Sequence, residues 1–235
     1  MTASSHLSDN LALLAHETSS LIATARALDD QSVRAASRCQ GWTRAHVLSH
    51  LSRNADALGN LASWAITGTP VAMYKSPQAR DADIEAGSTR SAQDIFTDLK
   101  ESAARFASAA PGLAGPPENV EVQMRAGRRV LGGQLPTLRL LEVVFHHVDL
   151  NAGYTFADAD PEFVRRSISN AIHRMKTNAQ EPSILLRSHE GDSWSVGEGT
   201  LEVNGTNATL LLWLARGDAS GVTSQETLPV LPAWG

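Results

Sequence analysis

A single cysteine, Cys39, stands among the 235 residues. It excludes an internal disulfide and any CxxC metal or redox site. Basic runs are missing too: 20 Lys and Arg face 25 Asp and Glu, for a formal net charge of -5. Nothing here tracks a phosphate backbone, so no nucleic-acid partner is expected. There is no GxGxxG and no P-loop, which argues against nucleotide cofactors. Ser195 follows Trp194 without a GxSxG elbow, so serine hydrolase chemistry is unsupported. The N-terminal MTASSHLSDN lacks the basic and apolar regions of a signal peptide, and no apolar stretch is long enough to span a bilayer. The expectation is a soluble, cytoplasmic protein with no membrane partner. What the chain does have is an ordinary globular balance, 42% hydrophobic and 19% charged. Its length suits one large domain or two small ones. It also carries eight histidines, whose placement is informative.

The first part reads as helical. Leu7, Leu11, Leu14, Leu21 and Leu28, with Thr18 and Ala25 between them, fall on one helix face, and Asp29 and Asp30 end the pattern. A linker runs to Gly41. Thr43 caps a second helix reaching to Ile66, with Gly68 and Pro70 as stops. Thr69 to Gly87 reads as loop. Ser91 caps a third helix carrying Ile95, Leu99, Ala103 and Phe106, which ends before Pro111. Val120 to Leu131 alternates around Ala126 and Gly127 as a short hairpin. Pro136 opens a fourth helix, ended by Gly153. Four amphipathic helices with one long connection suggest a four-helix bundle.

After Tyr154 the texture changes, with a boundary expected near 155–160. Asp160 and Pro161 open a fifth helix reaching to Asn178. Ser183 to Ser188, Ser193 to Val196 and Thr200 to Val203 read as short strands, with Asn204-Gly205 as a turn. Thr206 to Arg216 is an apolar helix stopped by Gly217, and the proline-containing tail is extended, in part a strand. The expected fold class is α plus α/β: residues 1–157 a helical bundle, residues 158–235 a smaller α/β domain.

The fourth helix carries the strongest chemical signal. Arg139, Glu142, His146 and Asp149 fall in an arc of roughly 80° on an otherwise apolar helix. That stripe faces either solvent or a polar cavity. Glu142 and His146, at i and i+4, can reach one point and suit a divalent metal such as zinc. The second helix contains His46 and His50, with His50 and Asn54 inside its apolar stripe. Bundle cores are common places for metal sites built from facing helices. His50, Glu142 and His146 would leave a fourth position open, the catalytic zinc pattern; adding His46 would close it. His46 reads better as a rim or supporting residue. Cys39 has no apparent histidine partner nearby and reads as a buried, inert thiol. His16, His173 and His189 are assigned to exposed faces or turns, and the Trp residues to core or pocket wall.

Four blocks in order, GWTRAHVLSHLSRNADAL (Gly41 to Leu58), MYKSPQARDADIEAGS (Met73 to Ser88), EVVFHHVDL (Glu142 to Leu150) and ARGDASGVTS (Ala215 to Ser224), span nearly the whole chain. With them the sequence resembles the DinB-like metalloprotein superfamily and, within it, the mycothiol-dependent maleylpyruvate isomerases. The departure is His147, beside the ligand position. The resemblance implies a DinB-like four-helix bundle followed by a smaller α/β domain, with a zinc or other divalent ion on His50, Glu142 and His146. It also implies mycothiol as the external thiol, which suits a chain with no credible nucleophile of its own. The implied reaction is the cis-trans isomerisation of maleylpyruvate to fumarylpyruvate in gentisate breakdown. A thiolate adds to the cis double bond, the resulting single bond rotates, and thiol expulsion leaves the trans product. A dianionic dicarboxylate substrate needs cationic anchors. Arg80 and Arg216 are the natural choices, and the chain is expected to act as a monomer. Two other functions remain open: a DinB-like thiol S-transferase, and a non-catalytic ligand-binding module with a structural metal.

Overall fold

The computed structural model describes residues 3–176 and 182–231. The chain divides into two compact units, Met1–Tyr154 and Thr155–Gly235.

The first unit is built from α1 (Ala3–Arg26), α2 (Arg44–Thr67), α3 (Pro77–Ser88), α4 (Ala92–Ala109) and α5 (Leu135–Asp149). Helices α1, α2, α4 and α5 form the bundle, with α2 packed on both α4 and α5, and α1 on both α5 and α4. The leucine stripe of α1 buries Leu7, Leu14, Leu21 and Ala25, while Leu28 lies just past the helix end. Leu48, Leu51, Leu58 and Leu61 of α2 meet Leu99 and Phe106 of α4 and Leu140 of α5 in the fully buried core. Burial of such side chains stabilises the bundle by about 1.5–3 kcal/mol each. The boundaries of α2 follow from its caps. The Thr43 backbone N–H donates to His46 Nδ1 at 3.2 Å, and Gly68 takes the left-handed conformation (φ 72°) as it closes the far end. Helix α5 stops at Asp149, earlier than Gly153, because Asn151 already turns the chain with φ 50°.

The stretch expected to be loop from Thr69 to Gly87 contains α3. Ser76 Oγ accepts from Ala79 N at 3.0 Å, and Pro77 occupies the first turn. The helix buries only Ile84 and Ser88, so it carries almost no apolar periodicity to read. The hairpin is present as β1 (Glu121–Gln123) and β2 (Arg129–Leu131), antiparallel, turning through Ala126 and Gly127 at positive φ.

The second unit holds α6 (Pro161–Lys176), β3 (Ile184–Ser188), β4 (Ser193–Val196), β5 (Leu201–Gly205), α7 (Asn207–Arg216) and β6 (Val222–Ser224). The strand order is β4-β3-β5-β6, with β3 and β5 parallel and the other pairs antiparallel. Ile184, Leu186, Val196 and Val203 bury one sheet face, in keeping with the period-two pattern. Phe163, Ile168, Ile172, Leu210, Leu211 and Trp213 supply the buried faces of α6 and α7. Asn204-Gly205 is not a turn: both residues extend β5, pairing with Arg187 and Ser188 on one side and with Thr223 and Val222 on the other. The chain turns one residue later, where Thr206 caps α7 by accepting from Thr209 N. The expected reach of α6 to Asn178, the end of the tail and Trp234 lie outside the described residues. The observed architecture is the expected α plus α/β class. Among the described residues no helix is long and apolar enough to cross a membrane.

Candidate metal centre

Helices α2 and α5 bring His50, Glu142 and His146 together. His50 Nε2 lies 2.9 Å from Glu142 Oε2, and His146 Nε2 lies 3.4 Å from the same oxygen. The His50 and His146 rings meet edge-on with centroids 4.7 Å apart. The three potential ligand atoms all lie within 4.8 Å of one another. A tetrahedral zinc with bonds near 2.0–2.1 Å sets its ligands about 3.3 Å apart, close to the 2.9 and 3.4 Å that separate Glu142 Oε2 from the two imidazole nitrogens. Its mixture of two imidazoles and one carboxylate also suits zinc chemically.

The electrostatics of the cluster are strongly coupled. Burial pushes the His50 imidazole below its usual range, only partly offset by Glu142, so His50 is neutral near neutral pH. For Glu142, burial acts upward, but hydrogen bonds from His146 and His50 outweigh it and hold the carboxyl well below 4.5. For His146, burial acts downward, and the bonds to Asp149, Cys39 and Glu142 outweigh it, holding the ring well above 6.5.

Arg80 joins the cluster from α3. Its Nη2 donates to His50 Nδ1 at 3.2 Å, and its Nη1 pairs with Asp81 at 2.7 Å. A guanidinium has donors only, so Nδ1 of His50 accepts here and Nε2–H faces Glu142. Arg80 also stands over the Tyr74 ring, 5.9 Å from its centroid. Burial raises the Tyr74 phenol above 10.0, so it remains protonated. Trp42 lines the cluster, with its ring centroid 5.6 Å from that of His50 and 6.2 Å from that of His46.

His46 is turned to another task. Its Nδ1 caps α2, while its Nε2 lies 3.2 Å from both Glu85 Oε2 and Ser88 Oγ of α3. It fastens α3 to the start of α2. His147 is fully buried against α1, with Nε2 at 2.8 Å from Thr24 Oγ1 and its ring stacked on Tyr154 at 3.7 Å. Arg139, expected on the same polar stripe as Glu142, is enclosed in the bundle. Its Nη1 donates to Leu51 O at 2.9 Å and to Asn54 Oδ1 at 2.7 Å. Burial brings its pKa down to about 10, which still leaves it cationic. Arg216 belongs to the second unit, in the last turn of α7, where its Nη1 donates to Ala215 O at 2.8 Å.

Cys39 departs from its expected isolation. Its Sγ donates to Asp149 Oδ2 at 3.3 Å and lies 4.0 Å from His146 Nδ1. The bridge between Ala36 and Thr43, with the Arg38 N–H bonded to Asp149 O at 2.8 Å, folds the loop back onto the end of α5. No spacing rule connects positions separated by more than a hundred residues. The Ser76-Pro77 start signal of α3 was present in the sequence and would have placed Arg80 on a helix.

The mycothiol maleylpyruvate isomerase N-terminal domain family matches residues 14–151 of the chain. Among solved structures, the chain is similar over 100% of its length and 100% of the other's to the crystal structure of the mycothiol-dependent maleylpyruvate isomerase, at 29% identity and a TM-score of 0.89. A histidine-to-alanine mutant of the mycothiol-dependent maleylpyruvate isomerase is equally similar in fold, with 28% identity, the same full coverage and a TM-score of 0.89. No curated protein matches the sequence at a significant level. With more than half of its length matched by that family and its fold shared from end to end with solved members, the chain belongs to the mycothiol maleylpyruvate isomerase family.

Proposed function

We propose that this protein is a metal-dependent isomerase that converts maleylpyruvate to fumarylpyruvate with mycothiol, in cytoplasmic gentisate breakdown. The observation that carries the reading is the convergence of His50, Glu142 and His146 beside Arg80, in a chain that shares its fold with such an isomerase. His50, Glu142 and His146 are the proposed holders of a zinc or similar divalent ion. Bound there, the ion would supply the positive charge that keeps an incoming thiol ionised near neutrality.

The chain's own residues prepare this. His50 is already neutral, as a ligand must be. Glu142 is already ionised, and His146 must give up one proton to donate a lone pair. In the present geometry the His50 proton sits at Nε2, facing Glu142, while Arg80 donates to Nδ1. Were Nε2 to hold an ion, its lone pair would be needed there and the ring proton would belong on Nδ1, the nitrogen that Arg80 faces. The Nη2 of Arg80 would then be available to a substrate carboxylate, while Nη1 keeps its pairing with Asp81. Arg80 is accordingly proposed as one anchor of the dianionic substrate. Arg216 is proposed as a second cation acting on the substrate, supported by the two charges of that substrate. Tyr74 stands beside Arg80, and Trp42 beside His50.

The deciding experiment is an assay of zinc-loaded protein with maleylpyruvate, with and without mycothiol. Isomerisation only when both are present supports the reading. Turnover without thiol, or none with it, rejects it.

A further inference from the structure

His146 has two ring nitrogens and two acidic neighbours. Nε2 faces Glu142, and Nδ1 lies 2.8 Å from Asp149 Oδ2. The same Asp149 oxygen accepts from the Cys39 thiol at 3.3 Å. Cys39, His146 and Asp149 thus form a second group of potential donors that shares His146 with the first. We infer that Asp149, steadied by Cys39, is a positioning residue that holds His146 in its Nδ1–H form and directs Nε2 to the His50–Glu142 side, and that the second group is not itself a metal site. The inference rests on the proposed metal centre and adds to it the residue that orients one ligand.

An imidazole offers a lone pair only from the nitrogen that bears no proton. The Asp149 oxygen that faces Nδ1 is the one that accepts the Cys39 S–H, so the nitrogen facing it is the donor. The separation of 2.8 Å is that of a charge-assisted hydrogen bond. Asp149 is fully buried in the last position of α5. Both features disfavour an anion: the interior withholds water, and the helix carbonyls converge there. Asp149 Oδ2 meets both the His146 N–H and the Cys39 S–H there. Cys39 itself is placed by main-chain geometry. Its N–H donates to Ser37 Oγ at 3.1 Å, and the neighbouring Arg38 N–H holds Asp149 O at 2.8 Å. A carboxylate behind a metal-bound histidine fixes both the tautomer and the ring orientation.

The test compares zinc affinity of folded, metal-free wild type and Asp149→Asn by competition with a chelator. Asp149→Asn should bind zinc about 10- to 100-fold more weakly. Cys39→Ser, which keeps a donor to Asp149, should remain within a few-fold of wild type. Equal affinity in wild type and Asp149→Asn overturns the inference. A second measurement needs no variant: in zinc-loaded wild type labelled with ¹⁵N-histidine, the His146 ring should show a proton on Nδ1 and none on Nε2. The opposite pattern overturns the inference even if Asp149→Asn does not fold. A sulfur-to-cobalt absorption band in cobalt-loaded protein without added thiol, lost in Cys39→Ser, would put the ion on the second group and also overturn it. Wild type that takes up neither ion fails differently: it removes the proposed metal centre, and the positioning role with it.

Discussion

His50 Nε2 and Glu142 Oε2 stand 2.9 Å apart across 92 positions of chain, one on α2 and the other on α5. With His146 one turn beyond Glu142, they make a pocket of donors that a divalent ion would join.

Replacing one of these donors should therefore empty the centre. His50→Ala is expected to lower zinc affinity by more than about 100-fold, beyond the loss that follows removal of an orienting partner. Metal analysis of the purified variant checks this, and full occupancy would remove His50 from the ligand set. Chelated wild type should remain folded, as judged by circular dichroism, because the bundle core of Leu48, Leu51, Leu99 and Phe106 does not depend on the ion.

In the proposed reaction the thiol comes from outside. Cys39 points at Asp149, and its sulfur is 4.0 Å from the His146 nitrogen that faces away from Glu142. Cys39→Ala should retain most turnover, whereas omission of mycothiol should abolish it. Activity that persists without mycothiol and disappears with Cys39 would contradict the proposed chemistry.

The two arginines separate by their effects. Arg80→Met should raise KM and lower kcat together, with zinc content unchanged, because the guanidinium touches His50 but is not a ligand. Arg216→Ala should reduce turnover by about 100- to 1,000-fold if its charge acts on the transition state. If Arg216 serves only the end of α7, where it bonds Ala215 O, the loss is about 1 kcal/mol of stability with turnover intact. Rate and melting temperature of the one variant distinguish these outcomes.

The metal-free protein should also show a pH signature. A histidine raised well above 6.5 stabilises the fold in full below 6.5, and that contribution fades as pH rises through its folded value. A carboxyl held well below 4.5 stabilises in full above 4.5 and loses its contribution as pH falls through its folded value. His50, pulled down by burial, acts in the opposite sense, favouring the fold as pH rises through 6.5. The clean readout is thus the melting-temperature difference between wild type and His146→Gln, which should shrink as pH climbs above 6.5. A difference that stays constant to alkaline pH would show that His146 is not held protonated by its neighbours.

The sequence by itself determined the elements whose signals are local. The leucine stripe of α1, Thr43 and Gly68 around α2, Ser91 before α4, and Thr206 with Gly217 around α7 each act within a few residues, so their spacing is legible. Helical period also put His50 within the apolar stripe of α2 and Glu142 with His146 on one face of α5, but whether that face met solvent or a cavity was left to the packing of α5 on α2. Tertiary structure decided the rest. Helix α3 buries too little to show a period and is held by its Ser76 cap and by His46 across to Glu85 and Ser88. Asn204 and Gly205 read as a turn because their propensity is local, but parallel pairing with β3 and antiparallel pairing with β6 draw them into a strand. Cys39 came to Asp149, and Arg80 to His50, through loop closure that no periodicity records. Local hydrogen bonds and helical period are written in neighbouring residues, whereas the partners of a buried polar group are chosen by packing between segments remote in the chain.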